Sequence, residues 1–259
     1  MIQFRLPRLA TFVLGLFFGI ALIAPLPFVV ITPGNAQDVL TKVITPSKNS
    51  SVTPTFYQGD GKIYLLSILI TNPSSYVTGF ELIYSWMRSD YSVMPRSLFY
   101  KDGRSAAAEK KIAKTEMVDS QLSAKVAALN YLEKNYPQLG TEKIAPSDID
   151  ISLAKTGGPS GGLAFALGIV ELLTPEDILR GRIVATTGTI DETGNIGSIG
   201  GIAEKILAAK KAAQEEAKLA ASSAAAGTRS TVRRSTPGME AMGSRMPAPS
   251  GVCRTPWTC

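Results

Sequence analysis

The stretch Lys155-Thr156-Gly157-Gly158-Pro159-Ser160-Gly161-Gly162 decides the fold, because it leads directly into an apolar run that ends near Leu173. Before it, Ile149, Ile151 and Leu153 alternate with polar residues, which is typical of a half-buried strand. The apolar run after it fits either a helix or a strand by periodicity. Its length and its small residues favour a buried helix. Ser160 is therefore predicted to lie between a strand and the first turn of a helix.

A serine at the start of a helix has a specific chemical environment. Free backbone N–H groups and the helix dipole favour negative charge there. The surrounding glycines carry no side chains, so a substrate backbone can approach closely. Two alternatives remain open at this point. Ser160 could simply cap the helix, or the turn could bind phosphate, although the pattern Gly-x-x-x-x-Gly-Lys-[Ser/Thr] does not occur in the chain.

A lysine further along the chain could activate this serine. Ile202, Lys205, Ile206 and Ala209 follow helical spacing and are predicted to share one apolar stripe. A lysine in such a stripe loses hydration, which lowers its pKa, and a neutral amine can deprotonate a serine hydroxyl. The alternative is a lysine that extends from the rim of the stripe into water. The chain has no histidine, so a Ser-His-Asp triad is excluded.

Three motifs resemble the proteolytic domain of the Lon-type Ser/Lys peptidases. They are Gly158-Pro159-Ser160-Gly161-Gly162, Thr187-Gly188-Thr189-Ile190 in a predicted hairpin, and Ile199-Gly200-Gly201-Ile202-Ala203-Glu204-Lys205. The motifs occur in the order and with about the separation typical of that family. Where many members carry an acidic residue three positions before the serine, this chain has Gly157.

The resemblance implies roles for individual residues. Ser160 would be the nucleophile, Lys205 the general base, and Thr187 a hydroxyl that supports the lysine. Backbone groups around the nucleophile and the following helix start would stabilise the oxyanion, and the residues concerned are Gly158, Pro159 and Gly161. The resemblance implies protein or peptide substrates and a homo-oligomer, because such domains commonly form rings. It implies no metal and no cofactor.

The N-terminal segment is predicted to be a membrane anchor. Residues 10–31 form an apolar stretch, and a bilayer span needs about 20 such residues. Arg5 and Arg8 precede it, which predicts a cytoplasmic segment at 1–9 and an extracytoplasmic remainder of a single-pass membrane protein. The alternative is a signal peptide cleaved near Asn35-Ala36-Gln37.

The rest of the chain is predicted to form four segments. A β-containing segment over 32–105 includes a buried strand at Ile63–Ile70. A helix at 106–136 precedes a partial Lon-type proteolytic domain at 140–211.

The chain also resembles the membrane-anchored PDZ–Lon proteins of Gram-positive bacteria, through the anchor and the segment Met117-Val118-Asp119-Ser120-Gln121. No PDZ domain, however, fits between the helix and the serine.

After Lys211 the composition changes to Ala, Ser, Arg, Pro and Gly, and the periodic pattern ends. Residues 212–259 are predicted to be a low-complexity tail, with a helix extension to 226 and disorder from 227 onward. The strands that complete a Lon-type sheet are therefore expected to be missing. A shifted reading frame or a truncated gene product is our hypothesis for this change.

The predicted fold class is α+β: an N-terminal transmembrane helix, a small β-containing segment, an incomplete Lon-protease-like domain and a disordered tail. The predicted function is a membrane-anchored serine endopeptidase, ATP-independent because the chain lacks a Walker motif. The alternative is a catalytically inactive remnant that binds peptides or partners. Specific nucleic-acid binding is not expected despite the net charge of +6, because the tail arginines lack interleaved aromatic residues.

Overall fold

A computed structural model describes residues 7–232 except 42, 49, 51, 102 and 154–156, and side chains as far as residue 220. The chain divides into two units, residues 1–215 and residues 216–259. The helices are α1 (Arg8–Ile23), α2 (Gly79–Trp86), α3 (Ala106–Asn135), α4 (Gly162–Leu173) and α5 (Ile202–Val232). The strands are β1 (Pro25–Leu26), β2 (Phe28–Asp38), β3 (Ile44–Pro46), β4 (Lys62–Ile70), β5 (Val77–Thr78), β6 (Ser92–Pro95), β7 (Ile149–Ile151), β8 (Ile183–Thr186), β9 (Thr189–Ile190) and β10 (Ile196–Gly197).

The predicted transmembrane helix over 10–31 is wrong. Helix α1 has 16 residues and ends at Ile23, and none of the described helices combines the length and the apolar character that a membrane span requires. Pro25 and Pro27 explain this boundary, because a residue that precedes proline is driven into extended backbone. Ala24 has a ψ of 136°, and the apolar residues after it enter β1 and β2.

A four-stranded sheet with the order β6-β2-β4-β8 forms the centre of the first unit. Strand β2 is antiparallel to both β4 and β6, whereas β4 and β8 run parallel. The pairing of β4 with β8 stops at Leu65 and Thr186, but β4 continues to Ile70 along β2. The second half of β4 therefore has a strand neighbour on only one side among the described residues.

Helices α3 and α4 pack against each other and cover the core. Helix α3 begins at the cap Ser105, whose hydroxyl accepts the N–H of Ala108 at 3.2 Å, and it ends before Pro137. Its buried face consists largely of small residues, which lets α4 approach closely. The side chains that are fully buried in this core include Phe165, Ile169, Leu172, Leu132, Ile149, Ile44 and Ile63.

The other local predictions agree with the structure to different degrees. The predicted strand before Ser160 is present as the short β7, and the predicted hairpin is present as β9 and β10. Helix α5 continues to Val232, so disorder from residue 227 is wrong for residues 227–232. The rest of the predicted disordered tail, residues 233–259, lies outside the described residues.

Candidate active site

Ser160 lies in a short 3-10 helix, Pro159–Gly161, which leads without interruption into α4. Gly158 precedes this turn with a φ of +89°, a backbone conformation that favours glycine. Pro159 then supplies the helical φ of the first position. The turn therefore holds Ser160 at the N-terminal end of a helical run, where the backbone N–H groups have no hydrogen-bond partner within the helix.

The carbonyl groups of Ser160 and of the preceding residue, Pro159, both accept hydrogen bonds. The Ser160 carbonyl accepts the N–H of Gly188 at 2.9 Å and the Thr187 hydroxyl at 3.2 Å. The Pro159 carbonyl accepts the Ser120 hydroxyl, from α3, at 2.8 Å, and it also accepts the N–H of Gly162. Two separate parts of the fold therefore fix the backbone of the turn.

Lys205 lies in the first turn of α5 and is only 2% exposed. Its Nζ donates a hydrogen bond to Thr187 Oγ1 at 3.0 Å. Burial lowers the pKa of the Lys205 ammonium below the ordinary value for lysine, because the charged form loses hydration. A larger fraction of this amine is therefore neutral, and able to accept a proton, than in an exposed lysine.

The prediction that Lys205 lies within a buried stripe of apolar residues is wrong, because the two isoleucines of that stripe are exposed. Ile202 is 55% exposed and Ile206 is 49% exposed, whereas Glu204 and Ala208 share the buried face of α5 with the lysine. Helical spacing defines a set of residues on one face, but it does not determine which face meets the rest of the protein. Tertiary packing turns α5 so that its isoleucine edge faces outward.

Ser160 and Lys205 line the same cavity, which has a volume of about 340 Å³. The other lining residues include the second half of β4, Gly157 and the turn itself, Met117 on α3, Thr189 on β9 and Ser198–Gly200. Among the hydrogen bonds of the described residues there is no direct bond between Ser160 Oγ and Lys205 Nζ. Contacts between a nucleophile and its base are often longer before substrate binds.

Two of the three predicted oxyanion residues have no free N–H in this conformation. The N–H of Gly158 donates to the Ala113 carbonyl at 3.0 Å, and Pro159 has no N–H. The third residue, Gly161, lines the cavity. For the N–H of Ser160 itself, the described residues offer no acceptor outside the hydrogen bonds within helices and strands.

Sequence reasoning also missed Ser120, Ala113 and Gly188 as partners of the turn. Ser120 belongs to the segment Met117–Gln121, which carried part of the family resemblance, so a signal was present. It could not reveal a role, because Ser120 and Pro159 are 39 residues apart in the chain. Their contact depends on how α3 packs against the turn.

Comparisons with known proteins identify the region around the site. Residues 102–223 match the family described as the Lon protease (S16) C-terminal proteolytic domain. Lon protease 2 from Thermus thermophilus is 38% identical over 96 residues, which are 35% of this chain and 12% of that protein. Lon protease from Aquifex aeolicus is 36% identical over 92 residues, 33% of this chain and 11% of that protein.

Lon protease homolog 2, peroxisomal, from Caenorhabditis elegans is 34% identical over 90 residues, which are 33% of this chain and 11% of that protein. The chain thus spans only 11–12% of the length of these curated relatives. No solved structure matches it. Ser160, Thr187 and Lys205 all lie within the matched residues. Residues 102–223 are therefore similar to the C-terminal proteolytic domain of Lon proteases.

Proposed function

We propose that the chain is a serine endopeptidase in which Ser160 is the nucleophile and Lys205 the general base. The observation that carries this proposal is the buried amine: Lys205 is shielded from water, has a lowered pKa and shares a cavity with Ser160. Lys205 has no acidic partner among the described residues, and burial of such a lysine destabilises a fold. Groups of this kind concentrate at functional sites. The similarity to Lon proteases supports the same assignment.

In the proposed mechanism, the neutral Lys205 amine takes the proton of the Ser160 hydroxyl as Oγ attacks the carbonyl carbon of a peptide bond. The negative charge that develops on the carbonyl oxygen is stabilised by backbone N–H groups at the start of the helical run. The lysine ammonium then gives its proton to the leaving amine, and the C–N bond breaks. Water attacks the resulting ester through the same base and releases the second product.

We propose that the substrate binds as an extended strand along β4. Residues Leu66–Ile70 lie beyond the last residue that pairs with β8, and the same residues line the cavity. An extended peptide can pair with such an open edge through its backbone groups. This position would bring a peptide bond close to Ser160, because β4 and the Ser160 turn form two walls of one cavity.

A fluorophosphonate probe tests the assignment, because it reacts only with an activated serine. We expect the full-length protein to be labelled, and mass spectrometry to place the label on Ser160. Ser160→Ala and Lys205→Ala should lose it. Ser152→Ala and Lys210→Ala are matched controls, since both side chains are exposed and lie outside the cavity, and both variants should be labelled like the wild type.

The competing interpretation is an inactive module that binds peptides. If the wild-type protein and Ser160→Ala were labelled equally, or if neither was labelled, the nucleophile assignment would be refuted. Turnover of an unfolded protein such as casein, measured on the same preparations, then separates a peptidase from a module that only binds. Retention of turnover in Lys205→Ala would refute the role of the base.

A further inference from the structure

The Ser120 hydroxyl is a buried donor that points at the turn Pro159–Gly161, which contains Ser160. Ser120 is 6% exposed and lies in the middle of α3. A serine inside a helix often donates to a carbonyl one turn earlier in its own helix. Ser120 instead donates to the Pro159 carbonyl at 2.8 Å, across to a different element. Because the acceptor lies outside α3, this hydrogen bond contributes to the position of the turn and not to the helix itself.

The Pro159 carbonyl belongs to the peptide group that also contains the N–H of Ser160. No cis peptide bond occurs among the described residues, so this group is trans and planar. In a trans peptide the C=O and the N–H point in opposite directions. Because the Ser120 hydroxyl and the N–H of Gly162 both hold the carbonyl, the N–H of Ser160 must point away from α3.

Ser160 is the second residue of the 3-10 helix Pro159–Gly161, and an N–H so close to a helix start has no partner within the helix. Outside helices and strands, no described residue accepts from it, whereas the Gly158 amide donates to Ala113 and Pro159 has no N–H. The N–H of the nucleophile itself commonly contributes to the oxyanion hole of serine peptidases. Its direction is useful only if the peptide plane cannot rotate.

We propose that Ser120 is a positioning residue of the peptidase site: together with the N–H of Gly162, its hydroxyl holds the Pro159 carbonyl and so directs the N–H of Ser160 toward the developing oxyanion. This proposal rests on the proposed function, since an oxyanion forms only if Ser160 is acylated. Ser120 does not touch substrate. It acts through the orientation of one peptide group.

The test compares Ser120→Ala, Ser120→Thr and Ser120→Cys in steady-state peptide hydrolysis by the full-length protein. Ser120→Ala should lower kcat about 10- to 100-fold with KM within about twofold of wild type, since complete loss of an oxyanion donor costs about 100–1,000-fold. Ser120→Thr keeps the hydroxyl and should retain most of kcat. The control Ser123→Ala, one turn further along α3, should behave like the wild type.

Thermal unfolding of each variant shows whether it is folded. If Ser120→Ala does not fold, Ser120→Cys replaces it, because cysteine keeps the size of the side chain but is a weak donor. The same loss of kcat is then expected. A wild-type kcat in a folded Ser120→Ala or Ser120→Cys protein, or an equal loss in Ser120→Thr, overturns the role of Ser120 alone. An inert wild-type protein that also fails to react with the fluorophosphonate overturns both proposals.

Discussion

Lys205 Nζ donates a hydrogen bond to Thr187 Oγ1 at 3.0 Å, and Thr187 Oγ1 in turn donates to the Ser160 carbonyl at 3.2 Å. One hydroxyl thus connects the buried amine with the backbone of the residue that we assign as nucleophile. Thr187 follows directly after the end of β8, so the edge of the sheet supplies this connection.

Replacing Thr187 by valine should impair catalysis while preserving the shape of the side chain. The amine would lose its hydrogen-bond partner, and an unsatisfied buried polar group costs about 1–3 kcal/mol. If this cost falls on the transition state, kcat decreases about 5- to 150-fold. Thr187→Ser, which keeps the hydroxyl, should lose much less. Steady-state kinetics of the two variants test whether the Thr187 hydroxyl supports catalysis, and equal activity of the valine and serine variants would argue against this role.

The rate of labelling by the fluorophosphonate should rise with pH. In the proposed mechanism the reactive state needs a neutral Lys205, and burial lowers the pKa of this group. The protonated fraction therefore falls at a lower pH than for an ordinary lysine, whose pKa is about 10.4. We expect the inflection of the rate–pH profile below that value. A flat profile, or an inflection at the ordinary lysine value, would contradict this prediction. Lys205→Arg should be inactive at every pH, because arginine stays protonated.

Lys205→Met should stabilise the protein at neutral pH. Because the pKa of Lys205 is lowered in the folded state, folding disfavours the ammonium at every pH below that folded pKa. This cost disappears as the pH rises from the folded pKa to the unfolded one. The variant should gain about 0.5–2 kcal/mol at pH 7, and the gain should shrink toward pH 10. Urea unfolding at several pH values measures it, with the exposed Lys210→Met as control.

Two helical glycines should respond to alanine in opposite directions. A Cβ on Gly168 in α4 would lie 2.6 Å from Ile44 Cδ1 and 3.0 Å from Val39 Cγ2, both in the core. The overpacking costs about 1–3 kcal/mol, which exceeds the gain in helix propensity. A Cβ on Gly15 in α1 would meet no described atom within 4 Å apart from its own helix backbone, so Gly15→Ala should stabilise by up to about 1 kcal/mol. Denaturant unfolding tests both, and equal effects would contradict the packing argument.

The local arrangement around Ser160 was predictable because its signals are close together in the chain. Alternating residues indicated a strand, glycines indicated a turn, and the length of the apolar run indicated a helix. The structure contains these three elements in that order. The assignment of Ser160, Lys205 and Thr187 to catalysis stays a prediction.

The errors arose where a local pattern left two outcomes open. Average hydropathy over residues 10–31 does not distinguish one long helix from a short helix followed by a strand. The extended backbone that Pro25 imposes on Ala24 ends the helix, so the short helix and the strand form. Around Lys205, spacing gave a helix face but not its orientation, so Ile202 and Ile206 were wrongly expected to be buried. The contact of Ser120 with Pro159 joins distant parts of the chain and has no local signal.

The hydrogen bonds to the Pro159 and Ser160 carbonyls have a dynamic consequence. With the backbone held on both sides, the hydroxyl of Ser160 keeps one main freedom, the torsion χ1, which has three staggered positions. Any approach of Oγ toward the amine then proceeds by rotation about a single bond. Such rotations take picoseconds to nanoseconds at accessible side chains, so a change in the direction of Ser160 Oγ requires no movement of a loop or a lid.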